Sequence, residues 1–473
     1  GLCAQVLRDA GTNYYRRMLR YHGAANIGAI LPWILDQAIG SREAQGDPAA
    51  RKNLRRMRRA LGRWIGRLPL DRGGSPLARL PLYEDLYFSL VDTADDVQFW
   101  HNPAARLEGR WDEYPTDVAV LLISGWFAHH CAANFDKFSE FRKRLSRPVA
   151  LIVGPWLHGP DMLEATVAGD CDFGPAAALA PMHEVWLGWL DNFLPANAVV
   201  VNALPPVQYF LMGTGPGHRT PAGHVFHGGT WKSSSCWPPT DAHQIDFYLN
   251  EGGLLSRNPP ASDAAASTYL FDPADPCPGI GSSNLQVVDA PDFVLPGPRD
   301  QRCRPELAAC RGSSMPLSSR SDLLVFQSEP LAGDVEVTGD IRVKLWVRSS
   351  APDTDFVARL IDVYPASDDY PEGIALAICD GILRFRYRGG RPRGSLVTPG
   401  SVHQIEIELN PTSNLFKAGH GIRLDITSSA WPQYDVNPNT GALPGEATSL
   451  AVARQTVFHD ARRPSRVLLP LIG

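Results

Sequence analysis

Two uninterrupted runs of apolar residues lie in the first third of the chain, at positions 118–123 and 149–153. Runs of this kind predict strands buried on both faces of a parallel sheet. The segment between them carries Phe135, Phe138 and Phe141 at every third position, which predicts a helix. We expect the second strand to end at the Gly-Pro pair 154–155. The resulting β-α-β unit would place both strand ends, and His158 just beyond the second, at one sheet edge where ligands usually bind.

The spacing of hydrophobic residues predicts how the rest of the chain is divided. Residues 14–113 read as a helical segment, because Asp47-Pro48 is a helix start and apolar residues then recur at 3–4 spacing to position 68. Residues 1–13 are interpreted as a remnant of the α/β domain that continues at 114–200. From 201 to 473 the period changes to two, with turns rich in Pro, Gly and Asp, which predicts an antiparallel β-sandwich of jelly-roll type.

Composition narrows the possible partners. With 473 residues, 44% hydrophobic and 20% charged, the chain is an ordinary globular sequence with more than one domain. A net charge of −5 and the lack of a long apolar run give no sign of a nucleic-acid or membrane partner. The eight cysteines form no C-x-x-C pair and favour reduced thiols and a cytoplasmic location, although Cys303 and Cys310 could bridge in an exported protein. The oligomeric state is left open.

Several short motifs, in order, resemble one family. They are Gly-Trp-Phe at 125–127, Gly-Pro-Trp-Leu-His-Gly at 154–159, Ala-Gly-Asp-Cys-Asp-Phe-Gly at 168–174, Asp-Thr-Asp-Phe at 353–356, and Pro-Thr-Ser-Asn-Leu-Phe-Lys-Ala-Gly-His at 411–420. Together they resemble the CocE/NonD serine hydrolases, which include cocaine esterases, X-prolyl dipeptidyl aminopeptidases and α-amino-acid ester hydrolases. The resemblance covers nearly the whole chain. It implies an α/β-hydrolase domain, an inserted helical cap and a carboxy-terminal jelly roll.

The same resemblance implies a catalytic Ser-Asp-His triad that acts through an acyl-enzyme without metal or cofactor. His158 matches the family histidine, and would accept the proton of the serine and pass it to the leaving group. The chain has no G-x-S-x-G motif, so we expect the nucleophile and the oxyanion-hole groups upstream of Gly1. The family aspartate falls on Ala128.

Three interpretations of Ala128 are open. Asp161 in the histidine loop could replace the missing acid, or His129 and His130 could change the polar network. Alternatively the protein could be a pseudo-enzyme that binds without turnover. A metal-dependent hydrolase built on His129, His130, His158 and Asp170 is a further, less favoured hypothesis, because no ligand pair has a known metal spacing.

The expected function is therefore hydrolysis of small esters or amides. The candidate pocket residues are Trp126, His129, His130 and Trp156. The aromatic residues of the cap and of the two Gly-Trp and Pro-Trp segments favour an apolar acyl group in the substrate.

Overall fold

The computed structural model describes residues 2–114, 117–160, 162–193, 204–285, 290–390 and 393–473. Its α-helices are α1 Tyr14–Arg17, α2 Ile27–Gly40, α3 Arg42–Gly46, α4 Pro48–Arg58, α5 Pro81–Asp92, α6 Cys131–Arg144 and α7 Met182–Asp191. No helix within these ranges is long and apolar enough to cross a membrane.

The strands are, in chain order, β1 Ala4–Arg8, β2 Arg20–Tyr21, β3 Ala24–Ala25, β4 Ala119–Phe127, β5 Val149–Leu157, β6 Val167–Ala168, β7 Cys171–Asp172, β8 Val207–Met212, β9 Val225–Phe226, β10 Gly229–Ser234, β11 Ala242–Leu249, β12 Leu255–Ser256, β13 Ala266–Phe271, β14 Leu323–Gln327, β15 Val335–Gly339, β16 Arg342–Ser349, β17 Asp355–Tyr364, β18 Ile374–Arg384, β19 Val402–Glu408, β20 Thr412–Phe416, β21 Gly421–Thr427, β22 Ala453–Asp460, β23 Arg463–Pro464 and β24 Arg466–Ile472.

The α/β part is built on parallel strands in the order β1-β4-β5-β8. The predicted β-α-β unit is confirmed, since β4 and β5 are parallel neighbours and α6 connects them. Both strands are buried along nearly their whole length, as their apolar composition predicts. The helix buries Phe135, Phe138 and Phe141 against this sheet.

The prediction that β5 ends at Gly154-Pro155 is wrong. The strand continues to Leu157, and its register against β4 shifts between Gly125 and Phe127. A Cβ atom on Gly125 would lie 2.2 Å from the carbonyl oxygen of Trp156. This glycine therefore allows two strands to approach closely, and does not end a strand.

The helical segment follows β1 and precedes β4. Helix α4 begins as the sequence predicts, because the Asp47 side chain accepts the Ala50 N–H and Pro48 occupies the first turn. Leu54 and Met57 are buried on its inner face. The segment shares one apolar core with Leu285, Phe293 and Val294, so the carboxy-terminal part of the chain packs against the helices.

The carboxy-terminal part is rich in β-structure. Strand β16 alternates as predicted, with Val343, Leu345 and Val347 buried. Strand β21 also has a hydrophobic period of two, but it is buried on both faces. Its charged residues, Arg423 and Asp425, satisfy each other inside the protein at 2.6 and 2.8 Å.

The α/β sheet continues beyond the predicted domain boundary at residue 200. Strand β8 pairs in parallel with β5, antiparallel with β10, and through one residue with β20. The two parts of the chain are therefore joined through one sheet. The jelly-roll topology and the domain bounds stay predictions.

Candidate active site

His158 lies directly after β5, at the carboxyl edge of the parallel sheet. Its side chain keeps 29% of its surface exposed. The loop that follows is tied to β1, because Arg8 Nη1 contacts the carbonyl oxygens of Gly159 at 3.4 Å and Pro160 at 3.2 Å. The loop after His158 is therefore fixed to β1, and part of the imidazole ring faces solvent.

A buried carboxylate holds the inner side of this ring. Asp9 follows β1, and its backbone N–H extends the β1–β4 ladder by donating to the Ile123 oxygen at 2.9 Å. Its Oδ2 lies 2.8 Å from His158 Nδ1, and its Oδ1 accepts the Ser124 hydroxyl at 2.6 Å. The Asp9 side chain is completely buried. Because a carboxylate accepts, Nδ1 carries the proton, and Nε2 is left as the basic nitrogen.

Helix α6 also supports the backbone turn at Asp9 and Ala10. Asp9 has φ 43°, in the left-handed region that non-glycine residues rarely adopt. On α6, Lys137 is buried and its Nζ donates to the carbonyl oxygen of Ala10. Burial lowers the pKa of Lys137 to about 7, against the attraction of Asp9. The amine thus fixes the turn that presents the carboxylate.

Two further imidazoles surround His158. The ring centroid of His129 lies 4.9 Å from that of His158, the centroid of His130 lies 5.5 Å away, and the two neighbours are 4.0 Å apart. Burial, and then repulsion by His158, lower the pKa of His129 to about 3. Burial, then His129, His158 and Lys137, hold the pKa of His130 well below its usual value. Both predicted neighbours are therefore beside His158 and neutral at pH 7.

The two tryptophans predicted to line the pocket are core residues. Trp126 is 1% exposed and donates its indole N–H to the Phe210 oxygen at 2.8 Å. Trp156 is fully buried and donates to the Ala177 oxygen at 3.1 Å. The pocket prediction is corrected for both, because β4 and β5 continue through these positions and direct the rings into the cores on the two sides of the sheet.

The remaining candidate residues from the sequence are Ala128, Asp161 and Asp170. Ala128 is fully buried and carries no acid. Asp161 lies outside the described residues. Asp170 accepts hydrogen bonds from Arg299 and Arg304, which occupy its oxygens. Within the described ranges, no three His, Cys, Asp or Glu side chains are arranged to hold a metal ion.

Sequence reasoning missed Asp9. The available signal was a short segment with apolar residues at 4, 6 and 7, followed by Asp9 and then by Gly11. This pattern is typical of a strand end in an α/β sheet. Treating residues 1–13 as a remnant concealed it.

Comparison with known proteins agrees with this architecture. Residues 198–468 match the X-Pro dipeptidyl-peptidase C-terminal non-catalytic domain. The cocaine esterase of Rhodococcus sp. (strain MB1 Bresler) is 30% identical over 421 residues, which cover 84% of this chain and 64% of that protein. The chain thus spans less than two thirds of the length of this relative.

Two solved structures share the fold. An aminopeptidase from a marine sediment Thaumarchaeota archaeon superposes with a TM-score of 0.74 at 22% identity, over 100% of this chain and 73% of that one. An α-amino acid ester hydrolase superposes with a TM-score of 0.69 at 20% identity, over 99% of this chain and 73% of that one.

A parallel α/β sheet with a helical insertion, joined to a β-rich carboxy-terminal part, is the fold that the chain shares with these two structures, and His158 lies at the carboxyl edge of its sheet. With the matching carboxy-terminal domain and the cocaine esterase relative, the assignment becomes specific. The chain belongs to the CocE/NonD family.

Proposed function

We propose that the protein hydrolyses small carboxylic esters or amides through an acyl-enzyme, with His158 as the general base and acid. The observation that carries this proposal is the His158 Nδ1–Asp9 Oδ2 contact of 2.8 Å beside a partly exposed ring. The nucleophilic serine is assigned to a polypeptide segment that precedes this sequence, as the family resemblance implies.

The proton route follows from the tautomer. Nε2 of His158 accepts the proton of the serine hydroxyl while its oxygen attacks the ester carbonyl. The imidazolium then returns that proton to the departing alcohol or amine. In the second half, water replaces the serine as proton donor, attacks the acyl group, and regenerates the free enzyme.

The neighbouring rings do not oppose an imidazolium that forms at His158 during the reaction. Charge on His129 or His130 would repel it at a centroid distance of about 5 Å, but burial lowers the pKa of both rings and keeps them neutral. The buried Asp9 carboxylate compensates the charge that forms.

The ester preference is supported by the similarity to the Rhodococcus cocaine esterase. An apolar acyl group stays an expectation from the aromatic composition of the helical segment.

The test is hydrolysis of 4-nitrophenyl acetate and butyrate by the full-length protein and by His158→Ala. We expect the variant to lose about 10⁴-fold in kcat/KM, because the neighbouring imidazoles of His129 and His130 are buried and weakly basic. The matched control is His101→Ala, whose imidazole is exposed and contacts Asp96 at 3.0 Å. Equal rates for wild type and His158→Ala would refute the proposal.

The second candidate is a pseudo-enzyme of the same fold that binds ligands without turnover. Ala128 favours it, since the position of the family acid carries no carboxylate. The contact of Asp9 with His158 argues against it. A fluorophosphonate probe decides between the two: labelling of the full-length protein that depends on His158 supports the hydrolase, and absence of labelling supports the pseudo-enzyme.

A further inference from the structure

We propose that Asp9 is the positioning carboxylate of the triad, so that the acid has moved from the end of β4, where Ala128 now stands, to the end of β1. This inference rests on the proposed function. Asp9 acts through His158 by fixing its tautomer and by compensating the imidazolium, and it does not touch the substrate.

The hydrogen bonds at Nδ1 leave no place for another acid. A protonated Nδ1 donates one hydrogen bond, and Asp9 accepts it at 2.8 Å. Asp161, the substitute acid that the sequence suggests, could therefore replace Asp9 as the acceptor at Nδ1 but could not bind there together with it. Serine and histidine together provide both oxygens of Asp9 with donors, as a buried carboxylate requires.

The backbone conformation at this position is unusual. Asp9 adopts a left-handed φ of 43°, which residues other than glycine, asparagine and aspartate rarely adopt. The extension of the strand ladder through the Asp9 N–H and the buried Lys137 at Ala10 hold the residue in this conformation.

The protein contains a second, chemically identical pair that provides the comparison. In the β-rich domain, His420 Nδ1 lies 2.8 Å from Asp362 Oδ1. There the imidazole is only 9% exposed and packs against Tyr364 at a centroid distance of 4.1 Å. That pair is enclosed and structural, whereas His158 leaves about a third of its side chain accessible.

The first experiment reads the tautomer directly. We would record ¹⁵N spectra of histidine-labelled full-length protein at pH 8, with the His158 signals assigned through His158→Gln. We expect wild type to carry the proton on Nδ1, and Asp9→Asn to move it to Nε2. Asp362→Asn is the matched control and should change the signals of His420 but not those of His158. A wild-type His158 that carries its proton on Nε2 overturns the proposal, and this outcome does not require Asp9→Asn to fold.

The second experiment measures catalysis. In serine proteases the equivalent Asp-to-Asn change lowers kcat by about 10⁴, and we expect Asp9→Asn to lower kcat of the full-length protein by about 10³–10⁴ with KM changed less than about threefold. Asp161→Asn is compared in parallel. Loss of turnover in Asp161→Asn with full turnover in Asp9→Asn would overturn the proposal.

The two experiments separate this inference from the proposed function. A protein with the Asp9-dependent tautomer that hydrolyses no ester refutes the proposed function and leaves the Asp9–His158 assignment standing. A protein that hydrolyses esters equally well with Asp9→Asn refutes the assignment and leaves the function standing.

Discussion

Glu408 provides the most quantitative prediction, because it fastens the segment that follows Asp9 to the β-rich domain. It lies at the end of β19, and its oxygens accept from Arg16 at 2.9 and 3.0 Å. Arg17 lies 3.5 Å away and His22 3.7 Å. Only 25% of the Glu408 side chain is exposed, so solvent screens these contacts weakly.

The magnitude follows from the pKa. Burial raises the pKa of Glu408, but Arg17, His22 and Arg16 outweigh burial and lower it to about 2. The unfolded value is about 4.3, so the difference of about 2.3 units at 1.36 kcal/mol per unit gives about 3 kcal/mol. Because the folded pKa is the lower one, this stability is fully present above pH 4.3 and is lost as the pH falls towards 2.

We expect Glu408→Gln to lower the free energy of unfolding by about 3 kcal/mol at pH 7, and by progressively less between pH 4 and pH 2. Urea unfolding followed by circular dichroism, at a series of pH values from 7 to 2, measures this difference. Glu329→Gln, an exposed glutamate of the same domain, is the matched control and should change stability by less than about 0.5 kcal/mol. A loss that does not depend on pH would refute the electrostatic explanation.

Two further changes test the site around Asp9. Ser124→Ala removes a buried hydrogen bond to the Asp9 carboxylate, worth about 1.5–3 kcal/mol. We expect kcat to fall at least about tenfold while the His158 tautomer stays unchanged. A loss of kcat larger than that of Asp9→Asn would contradict a supporting role for Ser124. The double variant Asp9→Asn/Ala128→Asp should recover at least about tenfold of the kcat lost in Asp9→Asn, since the resemblance places the family acid at position 128. A folded double variant without recovery would show that this position does not face His158.

The sequence alone predicted those helices and strands whose local hydrophobic pattern agrees with their packing in the structure. The β-α-β unit was predicted because two apolar runs flank a helix whose phenylalanines share one face, and neither feature depends on distant residues. Helix α4 was predicted for the same reason, as Asp47 and Pro48 specify its start within a few residues. The family was also recognised from short motifs, and the comparisons confirm it.

The site was harder to predict, because its contacts join distant parts of the chain. Asp9 and His158 are 149 residues apart, and they meet only because β1 pairs with β4 after the whole helical segment has intervened. The motif position of Ala128 pointed to a missing acid, but a motif cannot show a carboxylate that arrives from another strand. The two tryptophans were assigned to the pocket because the glycines before them predict strand ends, whereas β4 and β5 continue through both positions.

Strand order explains how the acid can move. Strand β4 lies between β1 and β5, so Asp9 and His158 belong to strands about 10 Å apart, twice the spacing of neighbouring strands. The carboxylate and the imidazole therefore meet across β4. Small residues allow this approach, and β4 carries Ser124 and Gly125 at the level of Asp9, the serine contributing a hydrogen bond to Asp9. An acid at position 128 would come from the end of β4, only one strand from His158. An acid on β1 instead can provide the same acceptor at Nδ1, provided that β4 carries small residues at the level where the two side chains meet.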